Sequence, residues 1–320
     1  MSFDMLYLKL EDMKNHINKF KEISYKIENN FITYTKIYYN NPSIKDLSFL
    51  VKTENNTIYC PLTLFNKTNY KLNFYNEPIE IFSKKKIDNE TNLQLKKLFH
   101  DLIKTNQIKK VYFKVKKENI KIDENISNSL DKIISEIFID LNLDLSEIQK
   151  EFKQSLRTIL KKKYEFLNYE IIDKINYKKN EILNMRKMHI QVSGRETRSK
   201  ESWIQNEKMI LDGNGFIVKA VYKNKPISYS FFFYNNRTCR YFSSCTLREY
   251  FKIIKNITHK SLWYAILYAK KNSNYFYVGS STVFSKKPLS EKELNIEKFK
   301  KQFSSKSEEY YIFNDVPNFF

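Results

Sequence analysis

The chain has 320 residues with 56 basic and 36 acidic side chains, a formal net charge of +20 and 42% apolar residues. That length supports one large or two modest cores, and ordinary apolar content with only 4 glycines and 6 prolines excludes collagen-like repeats and wholesale disorder. Unbroken apolar runs such as Leu262 to Ala269 stop far short of the roughly 20 residues that a bilayer-spanning helix needs.

The chain opens with Asp4, Glu11 and Asp12 where a secretory leader would carry positive charge and then a long apolar stretch, so a cytosolic protein is expected. Leu47 to Lys52 and Thr57 to Leu64 are β-rich runs joined by Asn55-Asn56, the pattern of a hairpin. Leu95, Leu98, Phe99, Leu102 and Ile103 then fall on one face of a helix, and Val111 to Val115 reads as a strand. A helical insert is expected over about 144–212. Asp144 with Glu147 three residues on forms a capping box, and Leu145, Ile148, Phe152 and Ile159 mark the buried face. Lys153, Arg157 and Lys161 follow one another at steps of four as a basic stripe.

Arginine is scarce, 7 against 49 lysines, so its placement is informative. Arg186, Arg195 and Arg198 cluster around the polar loop Gln191 to Lys200, which also holds Gly194. Guanidinium groups grip carboxylates and phosphates with two parallel bonds, so this loop reads either as an anion site or as a salt-bridged structural turn. Asp212-Gly213-Asn214-Gly215 ends the insert as a turn. Phe216–Tyr222, Ile227–Tyr234 and Cys239–Cys245 then form an antiparallel meander, with Tyr229, Phe231 and Phe233 on one face and Ser228, Ser230, Phe232 and Tyr234 on the other. The last run places Tyr241, Ser243 and Cys245 together. With His16, His100, His189 and His259 scattered along the chain, none of these three is paired as a nucleophile, and Cys245 reads as a small packed residue. Leu262, Ala265, Ile266 and Ala269 stripe a further helix, and Tyr275 to Val278 is a strand with Gly279 at its exit. Gly279 and Ser280 cluster backbone N–H groups and hydroxyls at a strand end, where open α/β folds bind ligands.

Hairpin, helix and strand thus recur in the same order in both halves, which predicts two similar α+β domains, 1–135 and 136–320. The first 160 residues carry a net charge of +5 and the rest +15, so an anionic partner is expected on the C-terminal half, although a lysine-rich solvated surface accounts for much of the excess. Three cysteines without a CxxC pair indicate no disulfide framework, and no metal site is expected. The fingerprints GxGxxG, GxxxxGK[ST], HExxH and GxSxG are missing. Transfer of an already activated acyl group to an amine suits that absence, because it rests on positioning and on polarising one carbonyl.

Phe138 to Asp144, followed by Ser155 to Lys162, resembles the segment that opens the second domain of FemAB-like proteins, within the broader GCN5-related acyltransferase (GNAT) fold. The order of meander, helix Leu262-Trp263-Tyr264-Ala265 and strand Tyr275 to Gly279 is similar too, and Ile296 to Phe303 looks like the family's closing segment. The resemblance covers about 136–303, and 45–115 in pattern only. It implies an α+β protein of two tandem GNAT-like domains, each a mixed, mostly antiparallel sheet flanked by helices. It also implies transfer of an acyl or aminoacyl group to an amine of a cell-envelope precursor, a peptidoglycan unit or a surface glycan. The expected donor is aminoacyl-tRNA or acyl-CoA, with no tightly bound cofactor. The [RQ]xxGx[GA] loop of coenzyme A-dependent members is missing, which counts against that donor. The resemblance assigns Arg157, Lys298 and Lys300 to anionic groups of donor or acceptor. Gly194, Arg195, Arg198, Tyr241, Ser243, Gly279 and Ser280 are candidates from their own chemistry, and the catalytic base is left unnamed. The expected location is cytoplasmic, with a peripheral place at the inner membrane face. Two alternatives stand beside this: a non-catalytic module binding RNA or an anionic glycan, and a small-molecule N-acetyltransferase.

Overall fold

The computed structural model describes residues 4–6, 29–39, 44–54, 56–65, 71–73, 78–83, 85–119, 129–235, 237–304 and 306–314. Glu11, Asp12, His16, Asn55 and Asn236 lie outside the described residues. In chain order the elements are β1 (Asp4–Leu6), α1 (Asn29–Tyr39), β2 (Ile44–Asp46), β3 (Phe49–Lys52), β4 (Thr57–Cys60), β5 (Thr63–Phe65), β6 (Lys71–Asn73), β7 (Phe82–Ser83), α2 (Asn89–Thr105), β8 (Lys110–Val111), β9 (Phe113–Lys116), β10 (Leu130–Asp140), α3 (Leu145–Glu151), α4 (Gln154–Lys161), β11 (Leu167–Ile172), α5 (Glu181–Ser193), α6 (Lys200–Leu211), β12 (Gly215–Tyr222), β13 (Lys225–Tyr234), β14 (Thr238–Thr246), α7 (Ile257–Ala269), β15 (Tyr275–Ser285), α8 (Glu291–Lys300) and β16 (Ser307–Phe313). The expected α+β class holds, with mostly antiparallel pairing.

Two four-stranded sheets, β1-β3-β4-β7 and β2-β5-β6-β8, build the N-terminal part. The expected hairpin is β3 with β4, in register Phe49↔Cys60. Its second run divides, because β5 leaves for the other sheet. Helix α2 is started by Asp88, whose carboxylate accepts the Thr91 N–H at 2.8 Å, and it buries Leu95, Phe99 and Leu102 against Phe49, Val51 and Ile58. The expected strand Val111 to Val115 is two strands: β8 pairs parallel with β6, and β9, beyond Tyr112, joins the large sheet.

That large sheet has eight described strands in the order β11-β12-β13-β14-β15-β10-β16-β9, and of these neighbours β14 and β15 run parallel and the others antiparallel. The expected division between 135 and 136 falls inside β10, and the last strand β16 bridges β10 to β9, so hydrogen bonds run from the N-terminal half into the C-terminal sheet. The meander β12-β13-β14 forms as its alternation predicts, but both faces of β13 are core. Phe232 packs with Phe216, Phe276 and Ala265 under α7, whereas Tyr229, Phe231 and Phe233 pack with Met185, Trp203 and Met209 of α5 and α6. The expected helical insert contains β11, the edge strand beside β12, and its first helix breaks at Phe152–Lys153 into α3 and α4. Ile148, Phe152 and Leu156 are buried there, while Leu145, expected inside, is exposed. The Glu147 carboxylate accepts the Asp144 N–H as expected for the capping box. The strand expected to end at Val278 continues to Ser285, so Gly279 lies inside β15 and not at its exit.

Candidate functional site

Strands β14 and β15 run side by side only from Thr238↔Tyr275 to Arg240↔Tyr277; beyond that level no pairing joins Tyr241–Thr246 to Val278–Ser285. Both strands bend where they part. On β14 the register against β13 shifts between Phe231 and Phe232, and on β15 the register against β10 shifts beside Gly279. Each bulge adds local twist, and two of them at one level turn the strands away from each other. Gly279 adopts φ +127°, a backbone conformation that only glycine enters without strain. The outcome is a slot between two strands, which opens toward their C-terminal ends.

Helix α8 caps one wall of this slot. The Lys300 ammonium donates to the Ser280 carbonyl at 2.8 Å, and the Glu297 carboxylate accepts the Thr282 N–H at 2.5 Å. Gly279 completes the cradle, since a Cβ there would stand 3.0 Å from Lys300 Nζ. Burial lowers the Lys300 ammonium's pKa, against the opposing pull of Glu297. On the other wall the bulge at Phe242 separates residues that strict alternation would group. Tyr241 turns to the α7 side and its hydroxyl bonds that of Ser244, whereas Ser243 and Cys245 turn to the α5 side. Burial raises the Tyr241 phenol and pushes the Cys245 thiol up to about 12, so neither is an activated nucleophile at neutral pH. The Ser243 and Ser281 hydroxyls are buried without a hydrogen-bond partner, one on each strand of the slot.

At the closed end lies a charge cluster that sequence reasoning missed. Glu136 of β10 takes Lys114 Nζ at 2.7 Å on one carboxylate oxygen and Arg240 Nη2 at 3.3 Å on the other. Lys114 also meets Glu80 at 3.2 Å and stands 3.8 Å from the centre of the Tyr310 ring. Arg240 lies 4.2 Å over the Tyr277 ring, and burial raises that phenol to about 12 despite the guanidinium. Lys114, Glu136 and Arg240 come from β9, β10 and β14, so the cluster fastens the N-terminal half to the last paired residues before the slot. Its signal was a charge inside an inward-facing pattern: Glu136 in Ile133-Ile134-Ser135-Glu136-Ile137-Phe138, and Lys114 in Val111 to Val115. A cleft of about 770 Å³ adjoins Lys114 and Tyr310 on the N-terminal side.

Gly279, Ser280 and Lys300 therefore meet on the β15 side of the slot, and Tyr241 and Ser243 lie on its β14 side with their side chains on opposite faces of the sheet; the remaining candidates lie elsewhere. Gly194 is the left-handed C-cap of α5, at φ +71°, and Arg195 is exposed beside it. The Arg186–Glu196 pair at 2.5 Å makes this loop salt-bridged, as one of its two readings held. Arg198 stacks over Trp203 and Phe242 at 5.5 and 5.7 Å and reaches the outer face of the β14 bulge. Arg157 lines a separate cleft of about 370 Å³ with Lys150, Lys161 and Trp263. Lys298 is exposed, and Lys153 caps α4 from outside the helix, so the expected basic stripe is shorter. Among the described residues no group of three His, Cys, Asp or Glu side chains could hold a metal, and no helix is long and apolar enough to cross a membrane.

This architecture of a mixed sheet whose two central parallel strands splay apart is the FemAB-like, GNAT-related fold. The chain superimposes on FemX with a TM-score of 0.64 at 9% identity, over 96% of each chain. It is also similar to a tandem GNAT protein from the clavulanic acid biosynthesis pathway, with a TM-score of 0.51 at 8% identity over 99% of this chain and 100% of that one. L-PGS from Bacillus licheniformis matches with a TM-score of 0.52 at 13% identity, over 84% and 83%. No family model and no curated protein sequence matches the chain.

Proposed function

We propose that the protein is an acyl- or aminoacyltransferase whose donor lies extended in the slot between β14 and β15. The observation that carries this reading is the parting of the parallel pair β14/β15 of the large sheet beyond Arg240 and Tyr277. The edge of β14, and that of β15 once a side chain of α8 is displaced from Ser280 or Thr282, can offer main-chain groups to an extended chain, and such groups can polarise a carbonyl while holding it for attack. The amine attacks the carbonyl carbon of the activated acyl group, a tetrahedral oxyanion forms, and the C–O or C–S bond to the carrier breaks as the proton lost by the amine nitrogen passes to the departing oxygen or sulfur. The carboxylate at the closed end, Glu136, is held by two cations, which makes it a positioning group rather than a strong base. Most of the driving energy then comes from the donor.

Either aminoacyl-tRNA or acyl-CoA could bring that donor. The connection from β14 to α7, Leu247 to Asn256, contains no glycine and is filled by a 3₁₀ turn with Ile254 buried, where a loop wrapped around a pyrophosphate needs close backbone approach. This supports a carrier other than coenzyme A. The resemblance of 136–303 to FemAB-like proteins supports an amine acceptor on an envelope precursor or surface glycan. The basic cleft beside Trp263 supports the alternative, a non-catalytic RNA- or anionic-glycan-binding module. Thermal shift with charged tRNA and with acetyl-CoA, followed by amine-dependent loss of the label from whichever donor stabilises the fold, separates the readings. Transfer is expected from one donor class. No turnover of either donor with an amino-sugar or peptide amine would refute the transferase.

A further inference from the structure

The end of the large sheet toward which the slot opens carries a connected surface of lysines and uncovered apolar side chains. It starts at Phe166, whose carbonyl accepts the Lys223 N–H at 3.1 Å and whose ring lies 5.7 Å from Lys223 Nζ. Lys223 Nζ also stands 5.6 Å from the Tyr222 ring, and Tyr222 meets Tyr250 edge-on at 6.0 Å. Lys225 lies 5.7 Å over Tyr250. From Tyr250 the chain presents Phe251, Lys252 and Ile253, all exposed, before Ile254 turns inward. The Tyr164 hydroxyl then donates to the Lys255 carbonyl, and Lys260 stands over Tyr164 with its ammonium bonded to the Lys162 carbonyl. Phe166, Phe251 and Ile253 are each about half exposed, and the segments 162–166, 223–225 and 248–255 that hold and flank them carry seven basic residues against two acidic ones, Glu165 and Glu249. Strand β15 ends at the same end of the sheet, with Val283 and Phe284 exposed and Lys286-Lys287 following.

We infer that this end of the molecule docks on an anionic lipid bilayer, with Phe251 and Ile253 entering the headgroup region and the lysines meeting lipid phosphates. Lysines ringing exposed aliphatic and aromatic side chains match both layers of such a surface, its negative headgroups and the acyl boundary beneath. A nucleic acid would meet the lysines but leave Ile253 without a complementary group, since those interfaces are polar and charged. Docking in this orientation turns the mouth of the slot to the membrane. The inference concerns binding alone and does not depend on the chemistry proposed for the slot.

The test is flotation of the full chain with vesicles of phosphatidylcholine containing 30% phosphatidylglycerol, and with phosphatidylcholine alone. Binding is expected to the first, and not to the second. Phe251→Ser with Ile253→Ser leaves every charge in place and should lower the partition coefficient at least about tenfold. Lys252→Glu with Lys255→Glu should lower it by at least about tenfold too, whereas Lys97→Glu with Lys104→Glu, an equal charge change on exposed positions of α2, should alter it less than about twofold. A Phe251→Trp variant keeps the apolar side chain, and its emission should shift to the blue on mixing with the anionic vesicles, a readout that does not need the serine variant to fold. Absence of binding, equal loss with the α2 variant, or an unshifted tryptophan would overturn the inference. So would binding to a single-stranded RNA that needs Lys252 and Lys255 while the vesicles stay free.

Discussion

Replacing Glu136 by Gln should destabilise the fold by about 3 kcal/mol, far more than a surface substitution. The side chains of Lys114, Glu136 and Arg240 are 4%, 9% and 19% exposed, so water screens their interactions weakly. Removing one partner of a buried ion pair costs roughly 3–5 kcal/mol, because the remaining charge is left in a poor solvent. The lower end applies here, since Lys114 keeps Glu80 at 3.2 Å and the Tyr310 ring, and Arg240 keeps the Tyr277 ring. Gln has nearly the shape of Glu, so no cavity confuses the result. Urea unfolding at pH 7, followed by far-UV circular dichroism, measures the loss. A double-mutant cycle with Lys114→Met assigns it: the double variant should be less destabilised than the two single losses added together, by about 2 kcal/mol, because Met no longer needs a counter-charge. A loss under about 1 kcal/mol for Glu136→Gln, or simple additivity in the cycle, would refute the claim that this cluster is a coupled buried network.

Two further outcomes follow from single residues. Burial lowers His259, stacked on Phe299 and Phe303, from its usual value to about 4, so the unfolded chain binds a proton there that the folded chain refuses between pH 6.5 and 4. Stability is therefore full above pH 6.5 and falls through that window by up to about 3 kcal/mol; urea midpoints of wild type and His259→Leu at pH 7 and pH 4.5 should show a shallower decline in the variant, and parallel declines would contradict this. Gly279→Ala should cost about 1–3 kcal/mol from backbone strain at φ +127°. Lys300→Ala, which removes the neighbouring side chain, should not restore the melting temperature of Gly279→Ala if strain and not contact is the cause.

The elements that local pattern specifies were legible: the β3–β4 hairpin, the apolar stripe of α2, the meander and α7 each follow from a period of 2 or 3.6 in consecutive residues. What escaped was set by residues distant in sequence. Nothing near Tyr112 signals that the chain changes sheets there, because β9 is held by pairing to Tyr310–Phe313, at the other end of the chain. Bulges are equally silent. Strict alternation grouped Tyr241 with Ser243 and Cys245, and one extra residue at Phe242 reversed Tyr241. Gly279 did announce an unusual backbone, but a glycine inside a strand and one at its end carry the same local signal. Arginine scarcity drew attention to Arg198, which packs on aromatic rings, and passed over Arg240, which holds Glu136.

A slot between two parallel strands needs an explanation, because strands with free edges at this spacing tend to zip together. Here three features oppose closure. The bulges at Phe242 and Gly279 bend the strands apart, and the Glu136 cluster pins the last paired rung at Arg240 and Tyr277. Beyond that rung, Lys300 and Glu297 already occupy the Ser280 carbonyl and the Thr282 N–H, the groups of β15 that β14 would otherwise claim. An extended ligand must then either bond to the edge of β14 alone or displace a side chain of α8 from β15. The second course exchanges one hydrogen bond for another at small net cost, and it would free the Lys300 ammonium, its charge disfavoured by burial, beside the ligand. The lysine that keeps the slot from closing is thus also the cation placed to meet a negative group on whatever enters it.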